Sequence, residues 1–350
     1  MTEEFNMSNL KEFDKILNKK FGDQYTGFGE KDSFESVSRV PLDCISLNNI
    51  LGGGVPEGRI IEIFGRNSAG KSSLANHIVS SYQKQGKYCM WVDAEACFDP
   101  QYTAHCGVNL DSLCKVSPNS AEEALEAIRT GLNLRDKDGN PVLSLVVLDS
   151  VAALTPRVDF DEKKEIGTTQ IGSLARLLST SLKQIVTLAA ATKATVILLN
   201  QERATNIGGY GPKTTTTGGN AIGYYSSIRL DLNRVGWLEE DKEKTGQIVN
   251  VETVKNKTFA PYKSANVHLV FPVKRGKKIV AGVDALADVV NIAIDNDIIK
   301  KAGAWFTWNE EKFQGLTKVY NAFIEDDAKY DILYKQVQEL YNANEEDNEA

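Results

Sequence analysis

The sequence predicts an α/β protein built on a mostly parallel, twisted sheet with helices on both faces. Three observations carry that expectation. Short apolar runs at 60–64, 88–92, 145–148 and 195–199 alternate with longer segments of helical spacing, the pattern of strands buried on both sides and joined by crossover helices. A glycine-bounded loop from Gly65 to Ser72 lies between the first of these strands and a helix. Past Gly219, the runs 227–232, 248–254 and 267–271 are separated by polar turns and not by helices, which predicts an antiparallel extension of the same sheet.

The elements follow in order. Residues 9–20 place Leu10, Phe13, Ile16 and Leu17 on one stripe of an amphipathic helix. That stripe needs cover, either from its own domain or from a neighbouring copy of the chain. Residues 22–38 are rich in Gly, Ser, Asp and Glu and read as a linker. The sheet-forming core comes next. After the basic turn Lys274-Arg275-Gly276-Lys277-Lys278, helices are expected at 284–301, 317–323 and 329–341, forming a small C-terminal domain. Residues 342–350 carry Glu345, Glu346, Asp347 and Glu349 without apolar partners and read as a solvated acidic tail. The expected division is therefore a helix and linker at 1–35, a core at 36–270, a C-terminal domain at 271–341 and a tail at 342–350.

Composition narrows the function. With 350 residues, 42% hydrophobic and 25% charged, the chain is neither collagen-like nor wholly disordered. Forty basic against 47 acidic residues leave a formal net charge of −7, so any nucleic-acid surface must be local. No apolar run approaches the roughly 18 residues of a membrane helix. The start, Met1-Thr2-Glu3-Glu4-Phe5, lacks the basic and apolar regions of a signal peptide, so a cytoplasmic protein with no membrane partner is expected. Cys44, Cys89, Cys97, Cys106 and Cys114 form no C-x-x-C pair and read as reduced, structural thiols; His105 and Cys106 lack the paired spacing of a metal site.

Chemistry concentrates in three places. Gly65-Arg66-Asn67-Ser68-Ala69-Gly70-Lys71-Ser72 matches G-x-x-x-x-G-K-[ST] after a strand and ahead of a helix. The glycines let backbone N–H groups turn toward phosphates, Lys71 offers a point charge, and Ser72 can ligate Mg²⁺. A glycine-rich turn with an exposed lysine is the plain alternative, and the flanking strand and helix weigh against it. Asp149 ends the apolar strand 145–148, where a carboxylate can hold Mg²⁺ through water. Asp93 and Glu95 end another strand on the same carboxyl edge of the sheet. Either could orient an attacking water, and spacing alone leaves both open.

These segments occur in a telling order. Gly65 to Ser73; Val92-Asp93-Ala94-Glu95 with Asp99-Pro100; Leu148-Asp149-Ser150-Val151-Ala152-Ala153-Leu154-Thr155-Pro156; Asn200-Gln201; Thr216-Thr217-Gly218-Gly219-Asn220-Ala221; Lys255-Asn256-Lys257; and Lys301-Ala302-Gly303-Ala304-Trp305 together resemble the bacterial RecA recombinases over nearly the whole chain. The resemblance implies a RecA-like P-loop ATPase core, an N-terminal oligomerisation helix and a small α+β C-terminal domain. It also implies a DNA-dependent ATPase that forms a helical filament on single-stranded DNA and catalyses homologous pairing and strand exchange in recombination, DNA repair and the SOS response. ATP and Mg²⁺ are the implied cofactors. The implied partners are single-stranded DNA, double-stranded DNA, further copies of the chain, a LexA-like repressor and a single-strand-binding protein.

By the same resemblance, Glu95 activates water, Lys71 is catalytic, and Gln201 senses the γ-phosphate. The implied nucleotide set is Gly65, Arg66, Asn67, Ser68, Ala69, Gly70, Lys71, Ser72, Ser73, Asp99, Tyr102 and Asp149, with Tyr102 on adenine and Ser72 and Asp149 on the metal. Lys255 and Lys257 would reach the ATP of the adjacent subunit, as an arginine finger does. Segments 161–172 and 202–217 resemble two DNA-binding loops. Ser179, Lys183, Gly218, Gly219 and Asn220 would hold single-strand phosphates, while Ile171 and Ile207 would wedge between bases. Arg176, on the same helix, reads equally well as a DNA contact and as a solvated arginine.

Some positions depart from the pattern. Arg66-Asn67-Ser68-Ala69 replaces the usual Pro-Glu-Ser-Ser, the second loop is one residue shorter with Tyr210 at its aromatic position, and the acidic tail is brief. Asn233, Asn250 and Glu252 stand where basic residues of a second DNA site are common in the family, so strand exchange is expected to be more salt-sensitive than primary single-strand binding. A ring-forming helicase or another ATPase sharing the core is the nearest competing function, opposed by Lys255-Asn256-Lys257 and Gly218-Gly219-Asn220. A nonhydrolytic, nucleotide-gated DNA-coating or regulatory filament is the other, opposed by Lys71, Glu95 and Asp149.

Overall fold

A computed structural model describes residues 7–21, 37–160, 172–204, 214–240, 242–275 and 278–349. The chain divides into two compact units, Met1–Ser38 and Arg39–Ala350. The first contains α1 (Met7–Phe21), on which Phe13 and Ile16 are exposed. Most of the expected linker, residues 22–36, lies outside the described residues, as do 161–171 with Ile171, and 205–213 with Ile207 and Tyr210.

The second unit opens with β1 (Arg39–Val40), α2 (Ile45–Leu51) and β2 (Val55–Pro56), the two short strands pairing antiparallel. Then come β3 (Ile60–Gly65), α3 (Lys71–Lys84), β4 (Tyr88–Asp93), α4 (Pro100–His105), β5 (Leu113–Val116), α5 (Ala121–Asn133), β6 (Leu143–Asp149), α6 (Ser173–Thr192) and β7 (Thr195–Ala204). This is the expected alternation, and β3, β4, β5, β6 and β7 are joined by parallel ladders. Next are β8 (Thr214–Thr216), α7 (Asn220–Tyr225), β9 (Ile228–Glu240), β10 (Glu243–Asn256), β11 (Ser264–Arg275) and β12 (Lys278–Val283). Among the described residues the large sheet has ten strands in the order β12-β11-β10-β9-β3-β7-β6-β4-β5, with β8 paired to β7. β9 continues the parallel part beside β3, and β10 to β12 add the expected antiparallel extension.

Strand periodicity explains the layering. Ile61, Ile63, Cys89, Trp91, Leu145, Val147, Ile197 and Leu199 face one core with α3 residues Leu74, Ile78 and Tyr82. Their neighbours Ile60, Met90, Val92, Val146, Leu148, Val196 and Leu198 face the other, under Leu125 and Ile128 of α5 and Leu178, Leu182 and Ile185 of α6. Successive residues of a strand point to opposite sides, so a doubly covered sheet needs unbroken apolar runs. Each fully buried aliphatic side chain contributes about 1.5–3 kcal/mol.

A third core is built from α8 (Ala285–Asp295), β13 (Lys300–Ala302), β14 (Trp305–Trp308), β15 (Glu311–Gln314), α9 (Leu316–Glu325) and α10 (Asp327–Glu349). It gathers Val289, Val290, Phe306, Trp308, Val319, Phe323, Leu333 and Val337. Asp284 caps α8 by accepting from the Ala287 N–H at 3.0 Å.

Four expectations change. Residues 278–283 form β12, not a passage into a helix, because the basic turn closes a hairpin: Leu269 pairs with Val283 and Lys274 with Ile279. The expected boundary at 271 therefore falls inside β11, and the large sheet runs on to Val283. The helix expected at 284–301 stops at Asp295, where Asn296 and the left-handed Asp297 (φ 59°) turn the chain into a three-stranded antiparallel sheet. The backbone of the acidic tail continues α10 as far as Glu349. The structural reading of the thiols holds for buried Cys44 and Cys89 but not for Cys97 and Cys114, which are exposed at a turn and on an edge strand. No helix among the described residues is long and apolar enough to cross a membrane.

Candidate nucleotide and nucleic-acid site

β3 delivers the glycine loop to the carboxyl edge of the sheet, and α3 leaves from it. Gly65 has φ 154°, and a Cβ there would lie 2.4 Å from the Leu232 carbonyl oxygen of β9, so only glycine fits. Gly70 is left-handed (φ 92°), precedes the first turn of α3, and has no room for a Cβ beside Leu269. N–H groups at the start of a helix present positive potential, which suits phosphate. Lys71 Nζ folds back onto the loop, donating to the carbonyls of Arg66 at 2.9 Å and Gly65 at 3.3 Å. Burial lowers its pKa, while Asp149 and Glu95 act in the opposite sense.

Ser72 and Asp149 meet as the spacing suggested: Ser72 Oγ donates to Asp149 Oδ2 at 3.0 Å. Burial pushes the Asp149 carboxyl up to about 6, the nearby charges of Glu95 and Asp93 adding to it against the Ser72 hydrogen bond and Lys71. A hydroxyl and a carboxylate side by side, crowded by negative charge, fit a divalent cation. Among the described residues no three metal-ligating side chains gather on their own. Mg²⁺ is usually held by one or two protein oxygens together with the phosphates it accompanies.

The two open carboxylates separate. Asp93 is buried and accepts from the N–H groups of Cys97 at 3.2 Å and Phe98 at 3.4 Å; Lys115 pairs with it at 3.3 Å. Glu95 is exposed and accepts from the Ser150 hydroxyl at 3.1 Å. Asp93 is committed to holding the turn that presents Glu95. Asp99 caps α4 by accepting from the Tyr102 N–H at 3.0 Å, and the Tyr102 hydroxyl meets Ser73 Oγ at 2.6 Å. The remaining loop residues, Arg66, Asn67, Ser68 and Ala69, form its apex, where Arg66 reaches to within 3.9 Å of Glu202.

Gln201 lies next to the loop in register. On adjacent parallel strands Gly65 pairs with Gln201. The Gln201 N–H donates to Asn200 Oδ1, and Asn200 Nδ2 donates at 2.9 Å to both Glu62 Oε1 and the Thr217 carbonyl. Arg229 completes this network with a 2.5 Å ion pair to fully buried Glu62. A continuous polar chain thus joins β3, β7 and β9 to the segment that carries Gly218, Gly219 and Asn220.

Ser179 on α6, together with Gly218 and Asn220, lines a hollow of about 370 Å³ with Ala175, Ala221 and the tyrosines Tyr224 and Tyr225. At Gly218 (φ 95°) a Cβ would lie 2.7 Å from Leu178, and Gly219 (φ 73°, ψ −165°) takes a conformation that favours glycine at the start of α7, so bare backbone lines this edge. Arg176 and Lys183 are exposed on α6 and do not line the hollow. An adjoining hollow includes Gly172, Arg203, Thr217, Gly218 and Gly219. Lys255 Nζ donates to the Gly223 carbonyl at 2.7 Å and the Tyr224 carbonyl at 3.2 Å, on the last turn of α7, while Lys257 is exposed.

Residues 9–275 match the family model for the RecA N-terminal domain, and residues 287–342 match that for the RecA C-terminal domain. The chain belongs to the RecA family. It is 36% identical to Protein RecA of Chloroflexus aurantiacus over 298 residues, covering 85% of this chain and 80% of that protein. With Protein RecA of Chlorobium limicola it shares 34% identity over 333 residues, 94% of this chain and 91% of the other. With that of Acinetobacter baumannii it shares 35% over 329 residues, 92% and 88%. RecA-family membership carries with it an ATP-dependent recombinase of DNA repair. The two family models meet between 275 and 287, close to the end of β12.

Within this RecA-family site, sequence reasoning missed Glu62, Arg229, Gln247, Arg203 and Lys115. Glu62 left a signal: a carboxylate in the middle of the apolar run Ile60-Ile61-Glu62-Ile63-Phe64 requires a partner. Gln247 Nε2 donates to the Ser68 carbonyl at 3.2 Å and steadies the loop apex from β10, a contact nearly 180 residues away that no local pattern announces.

Proposed function

We propose that this recombinase hydrolyses ATP in a DNA-dependent manner while polymerised as a helical filament on single-stranded DNA, and that the filament pairs the bound strand with homologous double-stranded DNA. The observation that carries this reading is the pairing of Gly65 with Gln201. The start of the phosphate loop and the start of the segment leading to the DNA-facing glycines are paired neighbours on adjacent strands, so nucleotide state and DNA contact share one rung of the sheet.

In this reading the backbone N–H groups of the loop and Lys71 bind the phosphates of ATP, and Lys71 gives up its loop carbonyls to do so. Ser72 and Asp149 would hold Mg²⁺, which supplies neutralising charge to the phosphate oxygens. Glu95 orients water for in-line attack. Ser73, Asp99 and Tyr102 shape the adenine end. Ser179, Lys183, Gly218, Gly219 and Asn220 hold strand phosphates, with Arg176 available beside them. Lys255 and Lys257 would complete the site of an adjacent copy, which ties hydrolysis to assembly. For Lys255 this means exchanging the carbonyls of α7 for phosphate.

The test is electron microscopy with a nonhydrolysable ATP analogue, with and without single-stranded DNA. Extended helical filaments on DNA are expected. Closed rings would overturn the reading in favour of a ring-forming helicase.

A further inference from the structure

We propose that Lys115 is a positioning residue for ATP hydrolysis, holding Glu95 in place through Asp93 and Phe98. This inference rests on the reading of Glu95 as the water-orienting group. The turn from Ala94 to Phe98 that carries Glu95 is not self-supporting. Ala96 within it is left-handed (φ 55°), a conformation that a residue with a Cβ adopts only when its surroundings impose it. Two anchors impose it here. On the β6 side, the N–H groups of Ala94 and Glu95 both donate to the Asp149 carbonyl, at 2.7 and 3.1 Å. On the β5 side the anchor is Asp93, whose carboxylate receives the N–H groups of Cys97 and Phe98 at 3.2 and 3.4 Å.

Those two bonds are long for a buried carboxylate that is 4% exposed. Lys115 supplies the missing charge. β5 is the edge strand, Lys115 is in register with Trp91 of β4, and its ammonium reaches Asp93 Oδ2 at 3.3 Å and Ser117 Oγ at 3.0 Å. The same ammonium lies 5.4 Å from the centre of the Phe98 ring, which packs edge-on against Trp91 at 5.7 Å. One cation therefore neutralises the carboxylate that ties the turn and covers the aromatic ring that ends it. Without it, Asp93 is an under-compensated buried charge beside Glu95 and Asp149. Its drift toward solvent would release Cys97 and Phe98 and let Glu95 wander, and small misplacements of a catalytic group are costly.

The experiment uses the full chain with saturating single-stranded DNA and Mg-ATP. It compares Lys115→Met, Lys115→Arg, Glu95→Gln and the Glu95→Gln/Lys115→Met double variant, with melting temperature recorded for each. Lys115→Met is expected to lower kcat roughly tenfold while leaving the KM for ATP within about twofold, and Lys115→Arg to recover most of the loss. On the residual hydrolysis of Glu95→Gln, Lys115→Met should cost nothing further, because the two residues act in series. Wild-type kcat in Lys115→Met, or the same fold-loss repeated in the Glu95→Gln background, would overturn the role of Lys115 while leaving Glu95 in place. Normal hydrolysis by Glu95→Gln alone would instead overturn the reading of Glu95, and this inference with it.

Discussion

His77 is buried on α3, and its Nε2 has no hydrogen-bond partner among the described residues. Burial lowers its pKa from 6.5 to about 4, with Asp43 opposing and Lys84 adding to the shift. Between those values an unfolded chain binds a proton that the folded chain refuses, so stability present above pH 6.5 is lost as the pH falls toward 4. Urea midpoints should drop between pH 7 and pH 4.5, and His77→Leu should flatten that part of the profile; an unchanged slope would show that other groups set it. Residues at this scale were unequally legible. The phosphate loop, Ser72 and Asp149 could be read because their chemistry is local to a short motif. The Glu62–Asn200–Arg229 network and Lys115 could not, because their partners are brought together only by strand order.

The hairpin of β9 and β10 carries the substituted positions Asn233, Asn250 and Glu252. Register sets Glu252 opposite Asp231 and Asn250 opposite Asn233, and Asn250 Nδ2 donates to Asn266 Oδ1 of β11 at 2.9 Å. Two carboxylates directly across a ladder repel each other, and they repel DNA phosphate as well. Glu252→Lys with Asn250→Arg should raise capture of duplex DNA and carry strand exchange to higher salt, while ATPase stimulation by single-stranded DNA stays nearly unchanged, since phosphate contacts are the salt-sensitive part of binding. A gel-based exchange assay across a salt series measures this; no gain would mean that these side chains face away from the incoming duplex. Among elements, the parallel strands were legible because burial on both faces demands uninterrupted apolar runs. β12 and the C-terminal sheet were not, since Lys-rich and Gly-containing turns look alike whether they close a hairpin or divide domains.

At the scale of the molecule, a net charge of −7 requires DNA contact to be local, and in the proposed reading it falls on the cations and bare glycine backbone near the hollow lined by Ser179 and Gly218. Such contacts gain strength through repetition, so assembly should matter more than any single side chain. A chain lacking the residues before Ser33 retains all of the second unit, Arg39–Ala350, and should fold. It should also lose most of its DNA-stimulated ATPase activity if α1 docks on a neighbouring copy. Sedimentation alongside hydrolysis tests this, and full activity from a monomeric truncation would exclude the mechanism. If Gln201 couples nucleotide to DNA as proposed, its adjacency to Gly65 would set the tempo of the machine. Neighbouring strands lie about 4.8 Å apart. A message that travels one such step needs no swinging of domains; it needs a side chain to turn and a loop to settle, events of nanoseconds to microseconds. Nucleotide loss would then be felt at the DNA almost as it happens, and the lifetime of a grip on the strand would be timed by chemistry and product escape alone.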